Sequence, residues 1–316
     1  MRVLVTGVAG FVGSHLAEQL LTDGHEVIGL DSFTDYYARS IKERNLSGLL
    51  KTDGFRFHEL DLRHDPLAAA LEDVEVVVNE AAMAGLMRSW TDFESYAGCN
   101  LLGLQRLIEA ARPANVRRFV QISTSSVYGT NAVGDEDVPT RPVSPYGVTK
   151  LAAEKLLLAH VAVHGFPATI LRYFSIYGPR QRPDMAYHIF TESLMDGRPI
   201  VVFGDGLQSR SNTFVTDAVA GTISAIDRGE IGGIYNIGGG EEITLLEAIG
   251  LIANELGVEP QIQHEPARPG DQRRTWADTS RAREALDYRP RVTPREGLAA
   301  QVRWQAGLRT PGRSGA

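Results

Sequence analysis

Arg2-Val3-Leu4-Val5-Thr6-Gly7-Val8-Ala9-Gly10-Phe11-Val12-Gly13 runs an apolar strand straight into three glycines spaced three apart, and the helix-forming stretch Ser14–Leu21 follows at once. The order predicts strand, phosphate-binding turn and helix. Gly7 suits the tight turn out of the strand and Gly10 lets backbone approach a pyrophosphate. Gly13 lets the helix pack close to the sheet, its N-terminal N–H groups facing the anion. Glu26-Val27-Ile28-Gly29-Leu30-Asp31 then adds a second strand ending in a carboxylate about 20 residues downstream, where an adenosine ribose presents its 2′-hydroxyl. A carboxylate there repels a 2′-phosphate, so NAD is expected and NADP is not.

The 316 residues suffice for a dinucleotide-binding domain with a smaller second one. Hydrophobic residues make up 43% and charged residues 22%, an ordinary globular composition. A formal net charge of −7 argues against a nucleic-acid partner or an anionic membrane surface, although arginines cluster late, at Arg268, Arg273, Arg274, Arg281 and Arg283. Cys99 is the only cysteine, which excludes an intrachain disulfide and a cysteine-based metal site; it is expected buried on a helix. The chain starts on a strand, so no signal peptide is expected, and no apolar run approaches the ~18 residues of a membrane span. A cytoplasmic enzyme is the expectation.

Strand-like runs at Val3–Thr6, Val27–Asp31, Phe55–Asp61, Val74–Asn79, Arg118–Ser123 and Ala168–Tyr173 alternate with helix-like ones. That alternation predicts a doubly wound parallel α/β sheet, with helices on both faces. Two longer helices are expected at Ser95–Ala111 and Tyr146–His164, each apolar on more than one face. The reading gives a dinucleotide-binding domain over residues 1–173 and a mainly substrate-binding lobe over 174–316. The chain is expected to return to the sheet around Phe214–Ile237, with strand Ile234–Ile237 and helix Thr244–Leu256 and a disordered tail from Thr310.

Ser144-Pro145-Tyr146-Gly147-Val148-Thr149-Lys150 sets a phenol and an ammonium four residues apart, on one face of a helix. The ammonium is expected to favour the phenolate, giving a base for a sugar hydroxyl. With ten tyrosines and four lysines, such a pair arises by chance in about one chain in eight, so position has to decide. The pair opens the helix after the fifth strand, which ends in the hydroxyl-rich turn Ser123-Thr124-Ser125-Ser126-Val127-Tyr128-Gly129 at the sheet edge where ligands bind. Thr124 is placed to share a proton with Tyr146. His160 and His164 lie four apart, but Val161 replaces the glutamate of a zinc protease motif and no third ligand is evident, so no metal is expected. The serine-hydrolase elbow and the nucleotide-triphosphatase loop are both missing.

The spacing G-x-x-G-x-x-G after Thr6 resembles the extended, sugar-nucleotide-modifying branch of the short-chain dehydrogenase/reductases. Asp31, Asp61-Leu62, Ala81-Ala82, Asn100, Tyr146/Lys150, Arg172 through Pro183, Gly204-Asp205-Gly206, Arg210 and Arg268-Pro269-Gly270-Asp271 all fall in that family's order. The resemblance covers nearly the whole chain and implies an NAD-dependent nucleotide-sugar epimerase. It implies that Gly7, Gly10, Phe11, Val12, Gly13, Asp31, Ser32, Asp61, Leu62, Ala81, Ala82, Tyr146, Lys150 and Tyr173 hold the cofactor. It implies a catalytic set of Tyr146, Lys150 and Thr124. Thr124, Ser125, Ser126, Ser175, Arg182, Arg210 and Arg268 would hold the substrate. It also implies that the two long helices pack against their copies in a homodimer, the alternative being that both faces are covered within one chain.

The turn after the fifth strand separates branches of the family. Nucleotide-sugar 4,6-dehydratases carry Asp-Glu after the threonine and UDP-glucuronate decarboxylases a Glu at the second position, whereas Ser125-Ser126 here leaves no acid to repel a substrate carboxylate. Arg180-Gln181-Arg182-Pro183-Asp184-Met185 and Asp35-Tyr36-Tyr37 are similar to UDP-glucuronate 4-epimerases, in which an arginine at the place of Arg182 helps hold the uronate. The chain departs from them at Gly85-Leu86-Met87-Arg88-Ser89, with the arginine one place late, and at Ser211 through Asp217, where loop packing is expected to change. The expected activity is C4 epimerisation of UDP-glucuronate to UDP-galacturonate through a 4-keto sugar. The alternatives are 4-epimerisation of a neutral UDP- or dTDP-hexose, decarboxylation of UDP-glucuronate, and a non-catalytic NAD-binding regulator, which would have no use for a base.

Overall fold

The computed structural model describes residues 1–267 and 273–309. Seven strands form the central sheet: β1 (Arg2–Thr6), β2 (Glu26–Asp31), β3 (Phe55–Glu59), β4 (Val76–Asn79), β5 (Arg118–Thr124), β6 (Ala168–Tyr173) and β7 (Ile234–Ile237). Their order is β7-β6-β5-β4-β1-β2-β3, parallel throughout. The chain winds outward twice from β1, so the crest between β1 and β4 is a topological switch point. The inner strands are buried on both faces and accordingly read as near-continuous apolar runs such as Val3-Leu4-Val5 and Val76-Val77-Val78, while the edge strand β3 is only partly covered. Alternate residues enter opposite cores, Val76 and Val78 one and Val77 the other. Each fully buried Val, Leu or Ile contributes about 1.5–3 kcal/mol.

The helices are α1 (Phe11–Thr22), α2 (Arg39–Leu46), α3 (Phe93–Ala97), α4 (Gly103–Ala111), α5 (Pro145–His164), α6 (Ala186–Met195), α7 (Val215–Arg228), α8 (Leu245–Leu256), α9 (Ser280–Leu286) and α10 (Pro294–Gly307). Sequence signals fix several ends. The Ser144 hydroxyl accepts the Gly147 N–H at 3.1 Å ahead of Pro145, and Gly165 closes α5 at φ 60°. Thr244 and Glu247 form a capping box on α8.

One expected helix is interrupted. Ser95–Ala111 is not continuous: a π-turn at Gly98–Leu102 separates α3 from α4. There Asn100 is buried, accepting the Met83 N–H at 2.9 Å and donating to the Met83 carbonyl at 3.1 Å and Thr149 Oγ1 at 3.0 Å. Satisfying that buried amide is what the extra residue in the turn accomplishes, and such turns cluster at functional sites. Cys99, in the same turn, is half-buried against the cavity described below, not enclosed in a core. Past β6, short strands form smaller sheets beside the crest, including Ser209–Arg210 between Ile243–Thr244 and Arg274–Ala277. Among the described residues, no helix is long and apolar enough to cross a membrane.

Candidate active site

One cavity of about 520 Å³ runs along the C-terminal ends of β1, β2, β4, β5 and β6. At one end lies the glycine turn. Gly7 sits at φ 68°, and a Cβ on Gly13 would lie 2.4 Å from the Gly7 carbonyl oxygen, so neither position tolerates a side chain. Gly10 is the N-cap of α1 and offers no side-chain cap, which leaves the first N–H groups of the helix open to an anion. Asp31, at the end of β2, accepts the Phe33 N–H at 2.8 Å and the Ala9 N–H at 3.2 Å. Lys42 of α2 stands 3.4 Å from the same carboxylate; sequence reading gave it no role, because nothing local marks it. Asp61 lies further along the wall, held by Arg63 Nη2 at 2.6 Å, which keeps its carboxyl below the ordinary range.

A polar ladder crosses the crest. The Thr6 hydroxyl donates to Asn79 Oδ1 at 2.6 Å, Asn79 Nδ2 to Gln121 Oε1 at 2.9 Å, and Gln121 Nε2 to the Ile122 carbonyl at 2.8 Å. That carbonyl also takes Lys150 Nζ at 2.6 Å. Ala81 is fixed to the same ladder, its N–H donating to Thr6 Oγ1 at 3.1 Å. The ladder ties the cofactor side of the cavity to α5.

Tyr146, in the first turn of α5, packs edge-on to Tyr96, with ring centroids 6.1 Å apart. Burial pushes its phenol above the ordinary value, while a hydrogen bond with Thr124 and the charge of Arg182 pull it back. The sequence expectation made Lys150 the cation that lowers this phenol; here the Lys150 amine donates to the Ile122 carbonyl, and the charge of Arg182 also lowers Tyr146. Burial lowers Lys150 itself to about 8. Arg182 is anchored bidentately by Asp184, and its guanidinium lies 5.3 Å from the Tyr36 ring centroid. Arg88, one place late in its motif, lies 5.2 Å from that same centroid, donates to the Asp35 carbonyl at 3.0 Å and to Asp92 at 3.1 Å, and is not among the cavity-lining residues.

All the sequence-predicted site residues within the described residues line this single cavity, Ser32, Leu62, Ala82, Ser175 and Arg210 included. Arg268 lies outside the described residues. At Ser211–Asp217 the change is one of packing: Ser211 and Thr213 are buried, and Thr213 Oγ1 donates to the Phe174 carbonyl at 2.9 Å. The His160 and His164 rings lie tilted to one another with centroids 5.7 Å apart, and no metal-holding cluster occurs among the described residues. Sequence reading missed Glu80. It lines the cavity between Tyr173 and Lys150, and burial raises its carboxyl to about 7. The glycine cradle, the uncapped helix start and the Asp31 carboxylate fit a dinucleotide, and the hydroxyls of Thr124, Ser125 and Ser126 with Tyr146 and Arg182 fit a polar ligand beside it.

The sequence profile of the NAD dependent epimerase/dehydratase family matches residues 3–238. A Bacillus subtilis protein described as the uncharacterized UDP-glucose epimerase YtcB is 41% identical over 98% of this chain and 99% of its own. A UDP-glucuronate 4-epimerase from Thermodesulfobacterium geofontis is 34% identical over 95% of each. The crystal structure of UDP-glucuronic acid 4-epimerase from Bacillus cereus, in complex with UDP-glucuronic acid and NAD, matches with a TM-score of 0.94 at 38% identity, covering 98% of this chain and 100% of that one. The chain therefore belongs to the NAD dependent epimerase/dehydratase family and is, by class, an NAD-dependent nucleotide-sugar epimerase. The sugars named for its relatives differ, glucose for one and glucuronate for another.

Proposed function

We propose that this enzyme epimerises C4 of a UDP-hexuronic acid, interconverting UDP-glucuronate and UDP-galacturonate. The observation that carries the reading is the wall beside Tyr146. Three consecutive hydroxyls, Thr124, Ser125 and Ser126, stand there without an acid, and Arg182 faces the same cavity. Hydroxyl donors and a guanidinium suit a carboxylate. The full-length likeness to enzymes named for UDP-glucuronate supports the same choice.

Bound NAD supplies reversible acceptance of hydride from C4. Gly7, Gly10 and Gly13 with the start of α1 would hold its pyrophosphate, and Asp31 a ribose. Tyr146 takes the proton of the 4-hydroxyl, with Thr124 hydrogen-bonded to it so that the proton has a defined path. The 4-keto sugar then turns in the pocket and is reduced on its other face, with no net redox change. A 4-keto uronate is a β-keto acid that readily loses carbon dioxide, so the hydroxyl wall and Arg182 also have to hold the carboxylate in a geometry that disfavours that loss. Arg210 lines the same cavity and would bind the nucleoside diphosphate. Exposed Leu102, Val148 and Val163 on the helix pair support assembly as a homodimer.

A second reading, epimerisation of a neutral UDP-hexose, is favoured by Asp184, whose charge beside Arg182 weakens the pull on a carboxylate. Comparing kcat/KM of the purified holoenzyme for UDP-glucuronate and UDP-glucose separates the two. Preference for the acid supports the proposal; preference for UDP-glucose overturns it.

A further inference from the structure

The buried stripe of α10 includes Gly297, Leu298, Gln301, Val302 and Gln305, so two carboxamides stand where an amphipathic helix ordinarily places apolar side chains. Both glutamines are 1% exposed and have to find polar partners inside the protein. Gln301 finds them on the connection Gly178–Asp184, which carries Arg182. Its Oε1 accepts the Gly178 N–H at 2.8 Å, and its Nε2 donates to Gln181 Oε1 at 2.7 Å. Gln181 is buried too; it accepts the His188 N–H at 3.0 Å, donates to the Ile176 carbonyl at 3.3 Å and is not among the cavity-lining residues. One turn further along α10, Gln305 donates to the His188 carbonyl at 3.0 Å, which ties the start of α6 to the same helix.

The connection does not keep this shape by local preference. Gly178 lies at φ 137° and Arg180 at φ 67°, the second a left-handed position that a residue with a Cβ rarely takes. The bends are held from two sides, Arg180 by Ser14 and Glu18 of α1 and Gln181 by Gln301 of α10. Arg182 follows at once and lines the cavity with Tyr146. Its bidentate partner Asp184 belongs to the same connection and moves with it, and Tyr36 reaches that pair from outside through one bond of 3.3 Å.

We propose that Gln301 is a positioning residue for Arg182: from α10 it fixes Gly178 and Gln181, and with them the point at which the guanidinium enters the cavity. The inference rests on the reading that Arg182 holds the sugar. It gives α10, none of whose residues lines the cavity, a part in sugar recognition. Fully bonded, the two buried carboxamides fix one register of the connection, as satisfied buried polar networks do. Without the Gln301 amide the Gly178 N–H loses its partner and Arg182 is free to shift, while the glycine turn and Asp31 at the cofactor end keep their own contacts.

Gln301→Met keeps the length of the side chain, suits the apolar stripe and removes both bonds. In the holoenzyme, hydrogen–deuterium exchange is expected to quicken by about tenfold in peptides covering residues 178–188 and to stay unchanged in α1. KM should rise about tenfold for whichever of UDP-glucuronate and UDP-glucose the enzyme turns over better, with kcat within about threefold of the parent and inhibition by UDP alone unchanged. In an Arg182→Ala background the same substitution should add nothing further, because the two residues act as one unit. Gln181→Met breaks the link from the other end and gives the same pattern, which keeps the test available where Gln301→Met does not fold. An unchanged KM, a rise that UDP shares equally, or a rise that adds in full to that of Arg182→Ala would make Gln301 a purely structural residue and overturn the proposal. The sugar assignment fails separately: a preference for UDP-glucose overturns it, and the cycle is then read on UDP-glucose.

Discussion

Arg182 and Asp184 grip one another through two hydrogen bonds, 2.9 Å from Nε and 3.0 Å from Nη2, which leaves Nη1 outside the pair. Asp184 thus steers the guanidinium and offsets part of its charge at once. Tyr36 completes the corner, its hydroxyl donating to Asp184 Oδ2 at 3.3 Å while its ring lies close to both Arg182 and Arg88.

Removing Arg182 then does two things, since it deletes a cation and leaves Asp184 unpaired against the substrate. Arg182→Ala is expected to weaken UDP-glucuronate binding by about 2–5 kcal/mol and UDP-glucose binding much less. The double variant Arg182→Ala/Asp184→Ala should recover part of the uronate loss, because the repelling carboxylate is gone. Calorimetric titration of both sugars checks this, and equal losses for acid and neutral sugar would make the arginine structural. The single variant should also release carbon dioxide, seen by mass spectrometry as a UDP-4-keto-pentose.

Tyr146→Phe removes the phenol but keeps the ring that packs edge-on to Tyr96. Turnover is expected to fall by about 10²-fold or more, within the range supplied by general-base catalysis, with the thermal transition of the protein little changed. Turnover close to that of the parent enzyme would remove Tyr146 from the mechanism.

The strap between Arg180 and α1 predicts a stability effect. Arg180 donates to Ser14 Oγ at 3.1 Å and to Glu18 at 2.7 Å, and burial, with the Arg180 charge added to it, depresses His15 to about 3. The folded protein therefore refuses a proton that the unfolded chain takes up below about pH 6.5, so stability is lost as pH falls through that point. Between pH 7 and pH 5 the His15 share is about 2 kcal/mol. Urea unfolding of His15→Gln should show a correspondingly smaller drop over that interval; an identical drop would mean that His15 is protonated in the native state.

Much of this was legible in the chain because it is encoded locally. The strand, glycine turn and helix from Arg2 to Leu21 follow from period and backbone freedom, and Tyr146 and Lys150 share a face by helical spacing alone. The π-turn at Gly98–Leu102 was not legible, since the buried partners of Asn100, Met83 and Thr149, come from distant segments. Glu80 was missed for a related reason: a charged residue after Val76-Val77-Val78-Asn79 reads as the solvated end of a strand, and only the register beside β5 and the bond from Tyr173 reveal it as facing the cavity. The carbonyl that takes the Lys150 amine was equally hidden, since Ile122 comes from β5 and not from the helix that sets the spacing to Tyr146.

Proton NMR of the holoenzyme with UDP-glucuronate in D₂O tests the central claim most directly. The account predicts that the anomeric signal of UDP-galacturonate grows in to an equilibrium mixture, with no deuterium entering C4, because the hydride leaves and returns within one site. A UDP-glucuronate spectrum that never changes, with UDP-glucose epimerised under the same conditions, would contradict it.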